Sequence, residues 1–152
     1  MNKVKIIECP RDAMQGIKSH FIPTHKKSLY LNSLLKVGFD TIDFGSFVSP
    51  KAIPQMRDTA AVLSKLDLSK TTSKLLAIIA NIRGAHDATQ FEEIDYLGYP
   101  FSISENFQMR NTHKTIAESI VTLDEILNIA SKTNKEVVAY LSMGFGNPYG
   151  DP

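Results

Sequence analysis

Leu75-Leu-Ala-Ile-Ile-Ala80 carries no polar residue at any of its positions. A strand with one face in water alternates polar and apolar side chains, so an unbroken run predicts a strand covered on both faces, as in a parallel sheet overlaid by helices. Toward the amino terminus, Thr41 to Phe44 is a second β-rich run between Gly38 and Gly45, and Val4 to Glu8 is a first, closed by Pro10. Between these two, Leu31, Leu34 and Leu35 keep helical spacing after Pro23, and Gly38 is placed to end the helix. The result is one βαβ unit.

The same alternation continues toward the carboxyl terminus. Ile53, Met56, Ala60 and Leu63 step by three, four and three, which predicts an amphipathic helix. After the apolar run come a short helix from Gly84 to Phe91 and a weaker strand from Glu93 to Leu97. Thr115-Ile-Ala-Glu118 has the form of a capping box, and it opens a helix with apolar positions Ile116, Ile120, Leu123, Leu127 and Ala130. Val137 to Leu141 is the fifth strand, and residues from Gly144 onward read as loop. Strands alternating with helices require a parallel sheet with right-handed crossovers. Such a sheet either curls toward a barrel or lies open and doubly wound. Against the second stands the turn after the first strand, Pro-Arg-Asp-Ala-Met-Gln, where that architecture has a glycine-rich phosphate turn.

Composition narrows the function classes. The 152 residues, 43% hydrophobic and 22% charged, suit one globular domain from residue 1 to 152. Seventeen basic against sixteen acidic residues, without a long run of one sign, advertise no surface for nucleic acid. No stretch approaches the roughly 20 apolar residues of a membrane span. The first strand follows the initial Met1 at once, which leaves no expected signal or transit peptide, and the cytoplasm is the expected compartment. The single cysteine, Cys9, is expected to be a buried small hydrophobe. The four histidines show no metal-ligand spacing.

Polar groups gather where the strands end: Arg11 and Asp12 after the first, Asp43 and Ser46 around the second, Asn81 after the third, Tyr140 and Ser142 at the fifth. In a parallel barrel these ends share one rim. Such an aspartate can give one oxygen to a hard divalent cation, and the neighbouring guanidinium can neutralise an enolate; the pair can equally be a plain structural ion pair.

Two strings are uncommon: Cys9-Pro-Arg-Asp-Ala-Met-Gln15 and Ser46-Phe-Val-Ser-Pro-Lys-Ala-Ile-Pro-Gln-Met56. With Ser104-Glu-Asn-Phe107, Asn111 and Tyr140-Leu-Ser-Met-Gly-Phe-Gly-Asn-Pro-Tyr149, they resemble the hydroxymethylglutaryl-CoA lyase family, within the divalent-metal TIM-barrel lyases and acyltransferases. The resemblance implies a partial TIM (β/α) barrel, about five parallel strands alternating with helices, from the amino-terminal portion of an eight-stranded barrel. It implies an oxo-acid lyase that cleaves 3-hydroxy-3-methylglutaryl-CoA to acetyl-CoA and acetoacetate. Arg11 and Asp43 would be catalytic, Asp12 would bind magnesium or manganese, and Gln15, Lys18, Ser46, Asn81, Asn111 and Tyr140 would face the acyl-CoA. Ala13 stands where the family usually has glycine, and Asp43 where it has glutamate. The family's paired histidine ligands, later asparagine ligand and catalytic cysteine lie in the other half of the barrel, and Cys9 does not match that cysteine. The expectation is therefore a fragment inactive alone, completed by self-association or by a carboxyl-terminal half. The alternatives are a non-catalytic half-barrel that binds acyl-CoA or protein, and a Claisen synthase acting on a 2-oxo acid.

Overall fold

The computed structural model describes residues 4–151. Five strands form one sheet: β1 (Ile7–Glu8), β2 (Thr41–Ser46), β3 (Lys74–Ile78), β4 (Tyr96–Ser102) and β5 (Glu136–Ser142). Every neighbouring pair is parallel, and the strands lie side by side in chain order. A doubly wound sheet must reverse its strand order at a switch point, so the sequential order excludes that alternative. The sheet is the open, curled half of a TIM barrel. Its helices are α1 (Pro10–Gln15), α2 (Thr24–Leu34), α3 (Thr59–Leu63), α4 (Ile82–Ala88), α5 (Glu105–Thr112) and α6 (Ile116–Lys132). Among the described residues, no helix is long and apolar enough to cross a membrane.

Alternation along each strand separates two faces. Ile42 and Phe44, Leu75, Ala77 and Ile79, and Leu97 and Tyr99 join the core beneath the helices, together with Leu31, Val62 and Ile126. The intervening residues Asp43, Leu76, Ile78 and Gly98 look the other way, into the hollow of the curled sheet, where Tyr140 also packs. A bulge at Phe44 shifts the β2–β3 register. Beside it, a Cβ on Gly45 would lie 2.5 Å from Thr59 Cγ2, so α3 can seat against β2 only because residue 45 has no side chain.

Several elements differ from the sequence expectation. β1 is confined to two residues rather than five, because Val4 to Ile6 lie outside the ladder. The predicted helix through Ile53 and Leu63 is split into a 3-10 turn at Pro54–Met56 and the separate α3. β4 runs from Tyr96 to Ser102 rather than from Glu93 to Leu97, and just before it the Asp95 side chain accepts from the Leu75 amide and from Lys74 Nζ. On α6 the capping box forms as read: Thr115 Oγ1 accepts from the Glu118 amide, and the Glu118 carboxylate accepts from the Thr115 amide. Those bonds hold the Glu118 carboxyl below its usual range. A depressed carboxyl adds stability above its unfolded range, and that contribution fades as pH falls through the folded value. Thr115→Ala is expected to cost about 1 kcal/mol in urea unfolding at pH 7. The buried stripe of α6, however, is Ser119, Thr122, Ile126 and Ala130, whereas Ile120 and Leu127 are exposed.

Candidate functional site

A cavity of about 710 Å³ opens at the carboxyl ends of the strands. Its polar end is built by α1. Pro10 occupies the first turn, where its missing N–H costs no hydrogen bond, and Arg11 and Asp12 follow directly. Arg11 is buried, with its fork turned onto β2: Nε donates to Asp43 Oδ1 at 3.1 Å and Nη2 to Asp43 Oδ2 at 2.6 Å. Nη1 donates to Asp12 Oδ1 at 2.9 Å, and that oxygen also accepts from Gln15 Nε2 at 2.8 Å. One guanidinium is thus clamped in plane by two carboxylates.

The electrostatics follow from burial. Asp43 is wholly buried, and this pushes its carboxyl upward, with the Arg11 bonds and charge pulling it back. Burial works to lower Arg11, but the Asp43 hydrogen bonds and charge outweigh it and hold the guanidinium more firmly protonated. Burial first, and the Asp43 charge second, raise both the Tyr140 phenol and the Cys9 thiol. Both groups therefore keep their protons at neutral pH. The Tyr140 hydroxyl and Gln15 Oε1 are buried without a hydrogen-bond partner, and both residues line the cavity. Unsatisfied polar atoms of this kind call for an explanation, and a polar ligand in the cavity supplies one.

Tyr140 reaches across the sheet because of Gly98. A Cβ there would stand 2.6 Å from Ile78 Cδ1, 2.8 Å from Leu76 Cδ2 and 3.2 Å from Tyr140 Cε2. Gly98→Ala is expected to destabilise the protein by about 1–3 kcal/mol through overpacking. It should also shift tyrosine fluorescence as Tyr140 moves, and unchanged stability and fluorescence would refute the steric account.

The structure brings together six of the residues singled out from the sequence: Arg11, Asp12, Gln15, Asn111, Tyr140 and Ser142 line the cavity, with Asp43 buried behind Arg11. Three fall elsewhere. Asn81 caps α4, accepting from the Gly84 amide at 2.9 Å. Ser46 is buried and accepts from the Val48 amide at 3.1 Å. Lys18 sits on an exposed segment beyond the cavity lining. Cys9, expected in the core, is only partly buried and faces the cavity. The sequence reading gave no site role to Phe107 or Thr112, which line the cavity from α5. Their signal was Ser104, whose side chain caps that helix by accepting from the Phe107 amide.

A divalent cation prefers several hard oxygen ligands. Asp12 is the one exposed carboxylate at the cavity, and no cluster of three or more His, Cys, Asp or Glu side chains occurs among the described residues. The donor set of these residues is too small to hold such an ion by itself.

No family model matches the chain. It is 36% identical over 148 residues to the hydroxymethylglutaryl-CoA lyase YngG of Bacillus subtilis (strain 168), covering 97% of this chain and 48% of that protein. The crystal structure of the Bacillus subtilis HMG-CoA lyase matches with a TM-score of 0.90 at 35% identity, over 99% of this chain and 50% of that one. An HMG-CoA lyase from Acinetobacter baumannii, solved in complex with coenzyme A and 3-methylmalate, matches with a TM-score of 0.86 at 31% identity, over 96% and 47% of the two chains. The chain spans about half the length of each.

Proposed function

Because the chain belongs to the hydroxymethylglutaryl-CoA lyase family as a half-length barrel, we propose that it supplies the amino-terminal part of a carbon-carbon lyase acting on an acyl-CoA. The reaction is the retro-Claisen cleavage of 3-hydroxy-3-methylglutaryl-CoA. A base takes the proton of the tertiary hydroxyl, whose oxygen becomes the ketone of acetoacetate. The bond between C2 and C3 of the acyl chain breaks, its electrons pass into the thioester enolate, and protonation of that carbon gives acetyl-CoA.

The observation that carries the proposal is the clamp on Arg11. Asp43 accepts through both oxygens from Arg11, so its part is to aim the guanidinium at the enolate oxygen rather than to take a proton. Tyr140 keeps its proton and donates its unpartnered hydroxyl to a substrate oxygen, while Gln15 Oε1 accepts from the substrate. Asn111 and Lys18 contact the carrier from the rim. Magnesium or manganese, where bound, would polarise substrate oxygens, and Asp12 would be its ligand from this chain.

Binding separates this reading from its rivals. Coenzyme A titrated into the chain should bind, and Asn111→Ala should weaken it. Manganese should bind the chain alone only at millimolar concentration or above, given one carboxylate. Absence of any coenzyme A binding would overturn the acyl-CoA reading, and micromolar manganese affinity would overturn the single-ligand account. The lack of a complete ligand set among the described residues favours a second reading, a non-catalytic acyl-CoA-binding module. It would show coenzyme A binding unaffected by Arg11→Gln and no turnover in any assembly.

A further inference from the structure

Gln55 is the penultimate residue of the second of the two uncommon strings, yet it lies outside the cavity and takes no part in the chemistry above. It is buried on the 3-10 turn, and its side chain makes three hydrogen bonds to the backbone of one short segment. Nε2 donates to the Ile17 carbonyl at 2.7 Å and to the His20 carbonyl, while Oε1 accepts from the Ile22 amide at 3.1 Å. Only one orientation of the amide satisfies all three, since the flipped form would set oxygen against two carbonyls. The two carbonyls bracket Lys18 and Ser19. The turn itself is fixed from the other side: Lys27, buried, donates to the Gln55 carbonyl and to Asp58 Oδ1, and its ammonium lies 4.2 Å from the Phe21 ring centroid. Arg57 covers the same ring at 3.9 Å. A surface segment needs no such anchoring for stability alone, because its backbone groups could bond water.

We infer that Gln55 is a positioning residue for the acyl-thioester site, holding the Ile17–Ile22 segment, and the exposed Lys18 on it, directly after the cavity-lining Gln15 and Gly16. The inference rests on the acyl-CoA reading of the cavity. It assigns Gln55 an effect on ligand binding that passes through Lys18. A carboxylate at 55 keeps the bond from Ile22 but cannot donate to the two carbonyls, so Gln55→Glu frees the segment with little change in volume.

The test is a double-mutant cycle read by calorimetric titration with coenzyme A, using Gln55→Glu, Lys18→Ala and the pair. Gln55→Glu is expected to weaken binding about tenfold, Lys18→Ala by a similar factor, and the double variant no more than Lys18→Ala alone. Amide exchange across residues 17–22 should accelerate in Gln55→Glu while the core strands keep their protection. Additive losses, or unchanged affinity in a folded Gln55→Glu protein, would overturn the inference. If Gln55→Glu does not fold, the uncharged Gln55→Met variant replaces it, and failure of both to fold would make Gln55 a structural residue and end the proposal. If the unsubstituted chain binds no coenzyme A, the acyl-CoA reading falls, and the positioning role falls with it; unchanged exchange at residues 17–22 in Gln55→Glu would refute the anchor itself, whatever the ligand.

Discussion

Arg11→Ala is expected to lower the unfolding free energy by about 3–5 kcal/mol, because it strands a buried carboxylate. Asp43 has 0% of its surface exposed, and both of its oxygens accept from Arg11. Removing the guanidinium leaves that charge with neither water nor counter-ion. For a chain of this length the loss corresponds to a fall of roughly 10 °C in Tm. Asp43→Ala should cost less, since Arg11 keeps its bond to Asp12. The deficit should also depend on pH. Burial already raises the Asp43 carboxyl, and without Arg11 its largest offset is gone, so in the variant the folded-state value lies further above the unfolded one. Such a group contributes stability below its unfolded pKa and loses it as pH rises through the folded value. The gap between Arg11→Ala and the parent should therefore be largest at neutral pH and narrow toward pH 4. Urea unfolding across that range checks it, and a gap that stays constant or widens in acid would show that the clamp is not the cause.

The clamp also shows what a sequence can reveal. Arg11 and Asp43 stand 32 residues apart, and their meeting follows from two rules legible in the chain: parallel strands place their ends on one rim, and an unbroken apolar run marks a covered strand. The capping box at Thr115 was legible because its bonds are local. β4 runs past its expected end at Leu97 to Ser102, through Pro100. Its missing N–H does no harm, since β3 pairs with β4 only from Tyr96 to Gly98. The buried face of α6 escaped because it is polar in composition: Ser119 accepts from Gln108 Nε2 through its hydroxyl and from Tyr99 through its carbonyl, bonds that no periodicity records. Asn81 was assigned to the site for lying at a strand end, although a cap at the following helix satisfies the same position. The anchor at Gln55 depends on three backbone groups more than 30 residues away, and side-chain identity alone gives no sign of it.

Lyase turnover is expected only when the sheet is closed, with acetoacetate release rising by about a thousandfold or more over the chain alone. A catalytic barrel of this kind uses about eight strands, and five are present among the described residues. β5 pairs over all seven of its residues with β4, and among the described residues nothing pairs with its outer edge. Leu141 on that strand is 64% exposed, and Val121 on the adjacent α6 is 60% exposed, beside the exposed Ile120 and Leu127. At the opposite edge, Val4, at 84%, and Ile6 and Ile7 are uncovered. Unpaired backbone and apolar surface together leave two edges able to accept further strands. Since relatives match over about half their length, we propose the complementary half-barrel as the occupant. Co-expression with the carboxyl-terminal half of the Bacillus subtilis relative should give a one-to-one complex by ultracentrifugation. Acetoacetate release by that complex should need manganese and fall sharply in Asp12→Ala. Self-association into a catalytically silent dimer would instead make a second copy the occupant. The whole account of an incomplete site would be wrong if the 152-residue chain, monomeric at high concentration, released acetoacetate by itself, because one carboxylate and one guanidinium would then suffice for the chemistry proposed above without a base and further ligands from elsewhere.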